Sequence, residues 1–150
     1  MAQILLVEDD GSYASELKEA LREHIVIRAY SYNSAIGLMR KYNREFDCII
    51  LDLNIDPNGL SENQKEEYSP VHGILVLDKI CEGKLPEESD DSKRIWEKTI
   101  IHSGYTSNFD FELEKFASYK SLTLIPKGGA SIFDVINKVN EIIKKNVKNG

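Results

Sequence analysis

The chain has 150 residues, 41% of them hydrophobic, with 25 Asp and Glu against 19 Lys and Arg and a net charge of -6. That length suits one domain able to bury its own core, and the acidic balance argues against a nucleic-acid surface on it. No apolar run approaches the roughly 18 residues of a membrane span, no basic stretch leads into a long apolar one at the N-terminus, and Cys48 and Cys81 have no ligand partners at metal spacing, which points to buried thiols in a reducing cytoplasm.

Strand and helix patterns alternate along the chain. Ile4-Leu5-Leu6-Val7 reads as an apolar strand that stops at Glu8-Asp9-Asp10, where Asp10 can cap the next helix. Tyr13, Leu17, Ala20, Leu21 and His24 follow at helical spacing and form a core-facing stripe. Ile25-Val26-Ile27 reads as a second strand ending near Ala29, and Asn33 or Ser34 can cap a helix carrying Ala35, Leu38, Met39 and Tyr42 on one face. The run Cys48-Ile49-Ile50-Leu51-Asp52-Leu53-Asn54 is apolar throughout except where it ends on a carboxylate and an amide, the pattern of a central strand buried on both faces.

Beyond Asn54 the periodicity breaks. Residues 56–71 hold Pro57, Asn58-Gly59, a polar run from Ser61 to Glu67 and Pro70, and read as an extended surface loop. A third helix is expected over 73–82, then a long polar loop over 83–97 with an acidic run at 87–91. Thr99-Ile100-Ile101-His102-Ser103 is the fourth strand, a helix starts at Asn108 and carries Phe109, Leu113, Phe116 and Ala117, and Leu122-Thr123-Leu124-Ile125 is the fifth strand. Ile132, Ile136, Val139 and Ile143 then mark an amphipathic last helix with a Lys-rich end suited to its dipole. Five βα units predict an α/β fold with a doubly wound parallel sheet and helices on both faces, so that every strand ends on one rim.

That shared rim gathers the chemistry. Glu8 and Asp9 end the first strand, Asp52 the third, Ser103 the fourth, and Lys127 follows the fifth. In an open parallel sheet the ligand crevice lies beyond the carboxyl ends of the strands. Carboxylates held that close either raise their pKa values or bind a cation, and an oxygen-only set with room for water and phosphate oxygens suits Mg2+. Lys127 adds a positive point for a phosphate oxygen and Ser103 a hydroxyl donor, so Asp52 is expected to accept a phosphoryl group as a nucleophile. The pair Gly128-Gly129 offers backbone N–H groups to an anion or a flexible start to the last helix. His24, His72 and His102 show no ligand spacing and are read as structural.

The pieces Leu6-Val7-Glu8-Asp9-Asp10, Ile50-Leu51-Asp52-Leu53-Asn54, Gly73-Ile74-Leu75-Val76-Leu77, Ile101-His102-Ser103-Gly104 and Ile125-Pro126-Lys127, in that order, resemble the receiver domain of two-component response regulators. The resemblance spans nearly the whole chain, 1–150, apart from the two long loops around the third helix, and implies the flavodoxin-like strand order 2-1-3-4-5. It implies that Asp52 takes a phosphoryl group from a sensor histidine kinase or a histidine phosphotransfer protein, and that the chain is a cytoplasmic signalling phosphoacceptor rather than an enzyme acting on a separate substrate. It further implies Asp9 as a direct magnesium ligand, Glu8 as a ligand through water, and the backbone carbonyl of Asn54 beside Asp52 in the shell. Ser103 resembles the switch hydroxyl and Lys127 the lysine that pairs with the phosphoryl group, while Asn54 and Tyr105 match positions that flank the attacking water. Output then falls to a downstream protein partner or to an output domain beyond residue 150, with no direct nucleic-acid contact.

The sequence departs from that pattern at three places. Pro126 precedes Lys127 and Gly128 follows it, where the family usually places proline after the lysine; Leu124 stands where the family has a switch aromatic; and the 56–71 segment replaces a short turn. Two other functions fit parts of the pattern: a pseudo-receiver that binds partners without phosphorylation, and a haloacid-dehalogenase-like magnesium-dependent phosphatase. The second needs Asp-x-Asp at the nucleophile, and here the second acid is replaced by Asn54.

Overall fold

A computed structural model describes residues 1–42, 45–82, 95–104, 123–129 and 131–149. Tyr105, the helix expected from Asn108 through Ala117, and the acidic run at 87–91 lie outside the described residues.

Five strands, β1 (Gln3–Val7), β2 (Ile25–Ala29), β3 (Cys48–Leu51), β4 (Thr99–Ser103) and β5 (Thr123–Pro126), form one sheet in the order β2-β1-β3-β4-β5. All four pairings are parallel. This is the doubly wound, flavodoxin-like order that the sequence predicts. The strand side chains alternate between two cores, as a period of two requires. Leu5, Val7, Ile49, Leu51 and Ile101 face one core, where they meet α2 (Tyr32–Lys41) and α4 (Ile74–Glu82). Ile4, Leu6, Cys48, Ile50 and Ile100 face the other, against α1 (Gly11–Ala20) and the last helix, α5 (Ser131–Asn149). A strand buried on both faces has no polar side to spare, which is why β1 from Ile4 onward and the whole of β3 are unbroken apolar runs.

Helix starts follow local capping chemistry. Asp10 caps α1 by accepting from the N–H groups of Ser12 and Tyr13, at 3.0 and 3.2 Å. The α2 cap is Ser31 rather than Asn33 or Ser34: Ser31 accepts from the Ser34 N–H, and the Ser34 side chain reaches back to the Ser31 N–H. On α5 the most buried ridge is Val135, Val139 and Ile142, with Ile132, Ile136 and Ile143 packed alongside.

The 56–71 segment, expected as an extended loop, contains α3 (Glu62–Tyr68). This short helix has no buried residue of its own, so no apolar stripe announces it. A reciprocal cap between Ser61 and Gln64 starts it, and His72 contacts the Lys65 carbonyl oxygen at 2.8 Å. The segment leading to it lies along the start of α2: the Tyr32 N–H donates to the Asp56 carbonyl at 3.0 Å and the Asn33 N–H to the Asn58 carbonyl at 2.9 Å. Within the polar stretch expected over 83–97, Ile95 is buried in a short helical turn that leads into β4.

Candidate functional site

Register brings the acids together. Val7 pairs with Leu51 across β1 and β3, so Glu8 and Asp52 are the next residues on neighbouring strands. The Asp52 N–H donates to the Val7 carbonyl at 2.9 Å and the Glu8 N–H to the Ala29 carbonyl at 2.9 Å, which carries the sheet pairing right up to both carboxylates. Ser103 pairs with Pro126 across β4 and β5, placing Lys127 at the same rim, and the Lys127 N–H donates to the Ser103 carbonyl at 3.0 Å. Ser103 is fully buried at its strand end.

Lys127 closes the set. Its ammonium donates to Glu8 Oε1 at 2.6 Å and to Asp52 Oδ2 at 2.8 Å. Asp52 Oδ1 accepts from the Asn54 N–H at 3.1 Å, and Glu8 Oε2 from the Asp10 N–H at 3.2 Å. Glu8, Asp9 and Asp52 each bring a carboxylate oxygen within 4.8 Å of the other two, with Glu8 and Asp52 buried and Asp9 exposed. Burial, reinforced by the Asp52 charge and opposed by Lys127, pushes Glu8 up to about 7. Asp9 is also raised, by partial burial and by Asp52. Burial opposes the charge on Lys127, yet the bonds from Asp52 and Glu8 outweigh it and hold the ammonium above its ordinary value.

Such a donor set fits a hard divalent cation. All donors are carboxylate oxygens from three positions, too few to form a closed cage, and open coordination with water is the habit of magnesium more than calcium. Burial is the main cause of the raised Glu8 and Asp9, with the Asp52 charge adding to it, and a cation would offset both. Glu8, Asp9 and Asp52 are the residues that would hold it.

Two contributors were not visible as site residues in the sequence. Arg28 on β2 donates through Nε to the Glu8 carbonyl at 2.9 Å and through Nη2 to the Asp9 carbonyl at 3.0 Å, anchoring the acidic loop by its backbone. A charged residue inside the short strand Ile25–Ala29 is its sequence signal. Gly73 is the other: its N–H donates to the Leu53 carbonyl at 2.7 Å, and its Cα lies so close to β3 that an added Cβ would meet the Asp52 carbonyl oxygen and, at 2.7 Å, the Leu53 Cα.

His102, read as structural, sits beside this site without joining the acids. Its ring is buried between Ile125, whose carbonyl lies 2.8 Å from Nδ1, and the Tyr13 hydroxyl, which meets Nε2. A carbonyl only accepts, so Nδ1 carries the hydrogen and Nε2 accepts from Tyr13. Burial lowers the His102 pKa and keeps the ring neutral.

No family model matches the chain, and no curated protein matches it in sequence. Solved structures do match it in shape. A response regulator receiver domain protein from Clostridium thermocellum is 17% identical, with the whole of both chains covered and a TM-score of 0.65. The receiver domain of the Francisella response regulator 1452 is 19% identical over 97% of this chain and 99% of that one, with a TM-score of 0.61. NtrX from Brucella abortus is 18% identical over 98% of this chain but only 29% of its own length, with a TM-score of 0.61. The fold is that of a response-regulator receiver domain.

Proposed function

We propose that the chain is a phosphorylation-controlled signalling switch in which Asp52 accepts a phosphoryl group. The observation that carries this reading is the buried contact of Lys127 with both Glu8 and Asp52, beside Asp9, at the carboxyl rim of the sheet. A lysine clamped between two acids holds a positive charge where a phosphoryl group would bring negative charge, as phosphoryl transfer requires.

In this reading Glu8, Asp9, Asp52 and the Asn54 carbonyl would hold Mg2+, which would supply positive charge against the transferring oxygens. Asp52 attacks the phosphorus of a phosphohistidine on a sensor histidine kinase or a phosphotransfer protein. The P–O bond to Asp52 forms as the P–N bond breaks, and the electron pair stays on the imidazole, which takes up a proton. Asp52 Oδ1 stays fixed by the Asn54 N–H, while Oδ2 is released as Lys127 turns to a phosphoryl oxygen. Ser103, on the adjoining strand end, then turns its hydroxyl toward the new group. That rearrangement alters the surface offered to a downstream partner or to an output domain. The chain works as one receiver domain over 1–150 with 56–71 as an insertion, and it acts as a cytoplasmic signalling protein rather than as a turnover enzyme.

Incubation with magnesium and acetyl phosphate, followed by intact mass measurement, tests this. The expected result is a gain of one phosphoryl group that Asp52→Asn abolishes. No gain with any small donor or phosphohistidine partner would favour the pseudo-receiver, and sustained hydrolysis of phosphomonoesters would favour the phosphatase.

A further inference from the structure

Lys127 stands between the end of β5 and a glycine pair. It is followed by Gly128 at φ 145° and Gly129 at φ 52°, conformations that glycine alone adopts freely. Its long side chain, 23% exposed, has an open route to solvent. Yet its ammonium sits 4.4 Å from the centre of the Tyr13 ring on α1. An ammonium has three N–H donors, and here two go to Glu8 and Asp52 while the third side faces an aromatic π cloud.

The ring is itself held in place. The Tyr13 hydroxyl donates to Nε2 of the buried His102. His102 is in turn fixed by the Ile125 carbonyl, and Ser131 accepts from the Gly128 N–H at 3.1 Å. A chain of contacts therefore runs from β5 through His102 on β4 to the ring and on to the Lys127 ammonium.

From this we infer that Tyr13 is a positioning residue for Lys127, a seat that keeps the ammonium over Asp52 while its partners change, with His102 locking the ring. The inference rests on the phosphoacceptor reading for its consequence, though not for its geometry. The two carboxylates exchange their hold on Lys127 for a phosphoryl oxygen during transfer, whereas the ring face is unaltered by it. A cation seated on an aromatic face gains a modest but real stabilisation, so loss of the ring should slow phosphoryl uptake roughly threefold to tenfold.

The experiment compares the full chain with Tyr13→Leu and Tyr13→Phe. Proton NMR reads the Cε methylene of Lys127, which the Tyr13 ring should shift upfield of exposed lysines, and mass measurement reads the rate of uptake from acetyl phosphate. Tyr13→Leu should abolish the upfield shift and slow uptake, and Tyr13→Phe, which keeps the ring face but loses its tether to His102, should keep the upfield shift and most of the uptake rate. A wild-type Lys127 with no upfield shift overturns the proposal without any variant, so it stays testable if Tyr13→Leu fails to fold. Wild-type uptake by a folded Tyr13→Leu also overturns it. A wild-type chain that shows the upfield shift yet takes up no phosphoryl group refutes the phosphoacceptor reading and leaves the seat intact.

Discussion

Replacing Gly73 by alanine puts one methyl group against the backbone that carries Asp52. The added Cβ would meet the Asp52 carbonyl oxygen, the Leu53 Cα at 2.7 Å and the Leu53 carbonyl oxygen at 3.0 Å. These are main-chain atoms of the central strand's end, so no flexible side chain can give way. Either α4 moves off the sheet or the β3 end bends, and the Gly73–Leu53 hydrogen bond of 2.7 Å is weakened in both cases. Overpacking costs about 1–3 kcal/mol, and a lost buried backbone bond adds about 1 kcal/mol, so a total of about 2–4 kcal/mol is expected. Gly37 is the internal control: it lies in mid-α2, exposed, with nothing within 4 Å of an added Cβ. There alanine should stabilise by about 0.5–1 kcal/mol through helix propensity. Urea unfolding of both variants measures this pair of opposite signs. A Gly73→Ala stability within about 0.5 kcal/mol of wild type, the range of an ordinary surface change, would refute the close approach.

Other consequences follow from the same contacts. Lys127→Met leaves Glu8 and Asp52 buried without their counter-charge; discounted for the partial exposure of Lys127, the loss should be about 2 kcal/mol in metal-free buffer by denaturant unfolding, and added magnesium should recover part of it. Glu8 has a native pKa of about 7 against an ordinary 4.5, so the native chain binds the extra proton between those values. Stability from this group is full below pH 4.5 and lost as pH rises past 7, by up to about 3 kcal/mol. Unfolding in a chelator across that window should show a steeper fall for wild type than for Glu8→Gln. Ser31→Ala removes a buried cap and should cost about 1–2 kcal/mol, while Ser61→Ala, on the exposed α3, should cost about 0.5 kcal/mol or less in global stability.

Much of this fold is legible because its strands are buried on both faces. Continuous apolar runs such as Ile4–Val7 and Cys48–Leu51 mark themselves without periodicity, and the polar residue that ends each run marks the rim. Asp10 as a cap could be read for the same reason, since an acid just before a helical stripe has one obvious use. The α3 helix could not be read from hydrophobic spacing, because only Tyr68 packs, half-buried, against the core, and the rest is held by a cap and by His72. Its signal was the Ser61-to-Gln64 spacing, outweighed by the flanking prolines and the polar run. Ser31 is hard to read as a cap because the apolar stripe of α2 begins later than its hydrogen bonds do. Arg28 and Tyr13 are illegible for a different reason: each acts at long range, Arg28 on main-chain carbonyls of the acidic loop after β1 and Tyr13 on a lysine more than a hundred residues away. Sequence spacing carries no record of such partners.

The grip of Arg28 has a consequence for how charge is exchanged at the rim. Because the guanidinium takes the carbonyls of Glu8 and Asp9 and leaves their side chains alone, the loop is bolted from behind while its carboxylate tips stay uncommitted to the bolt. Proton and ammonium can replace one another at those tips without the backbone having to follow, and so could the metal ion of the proposed function.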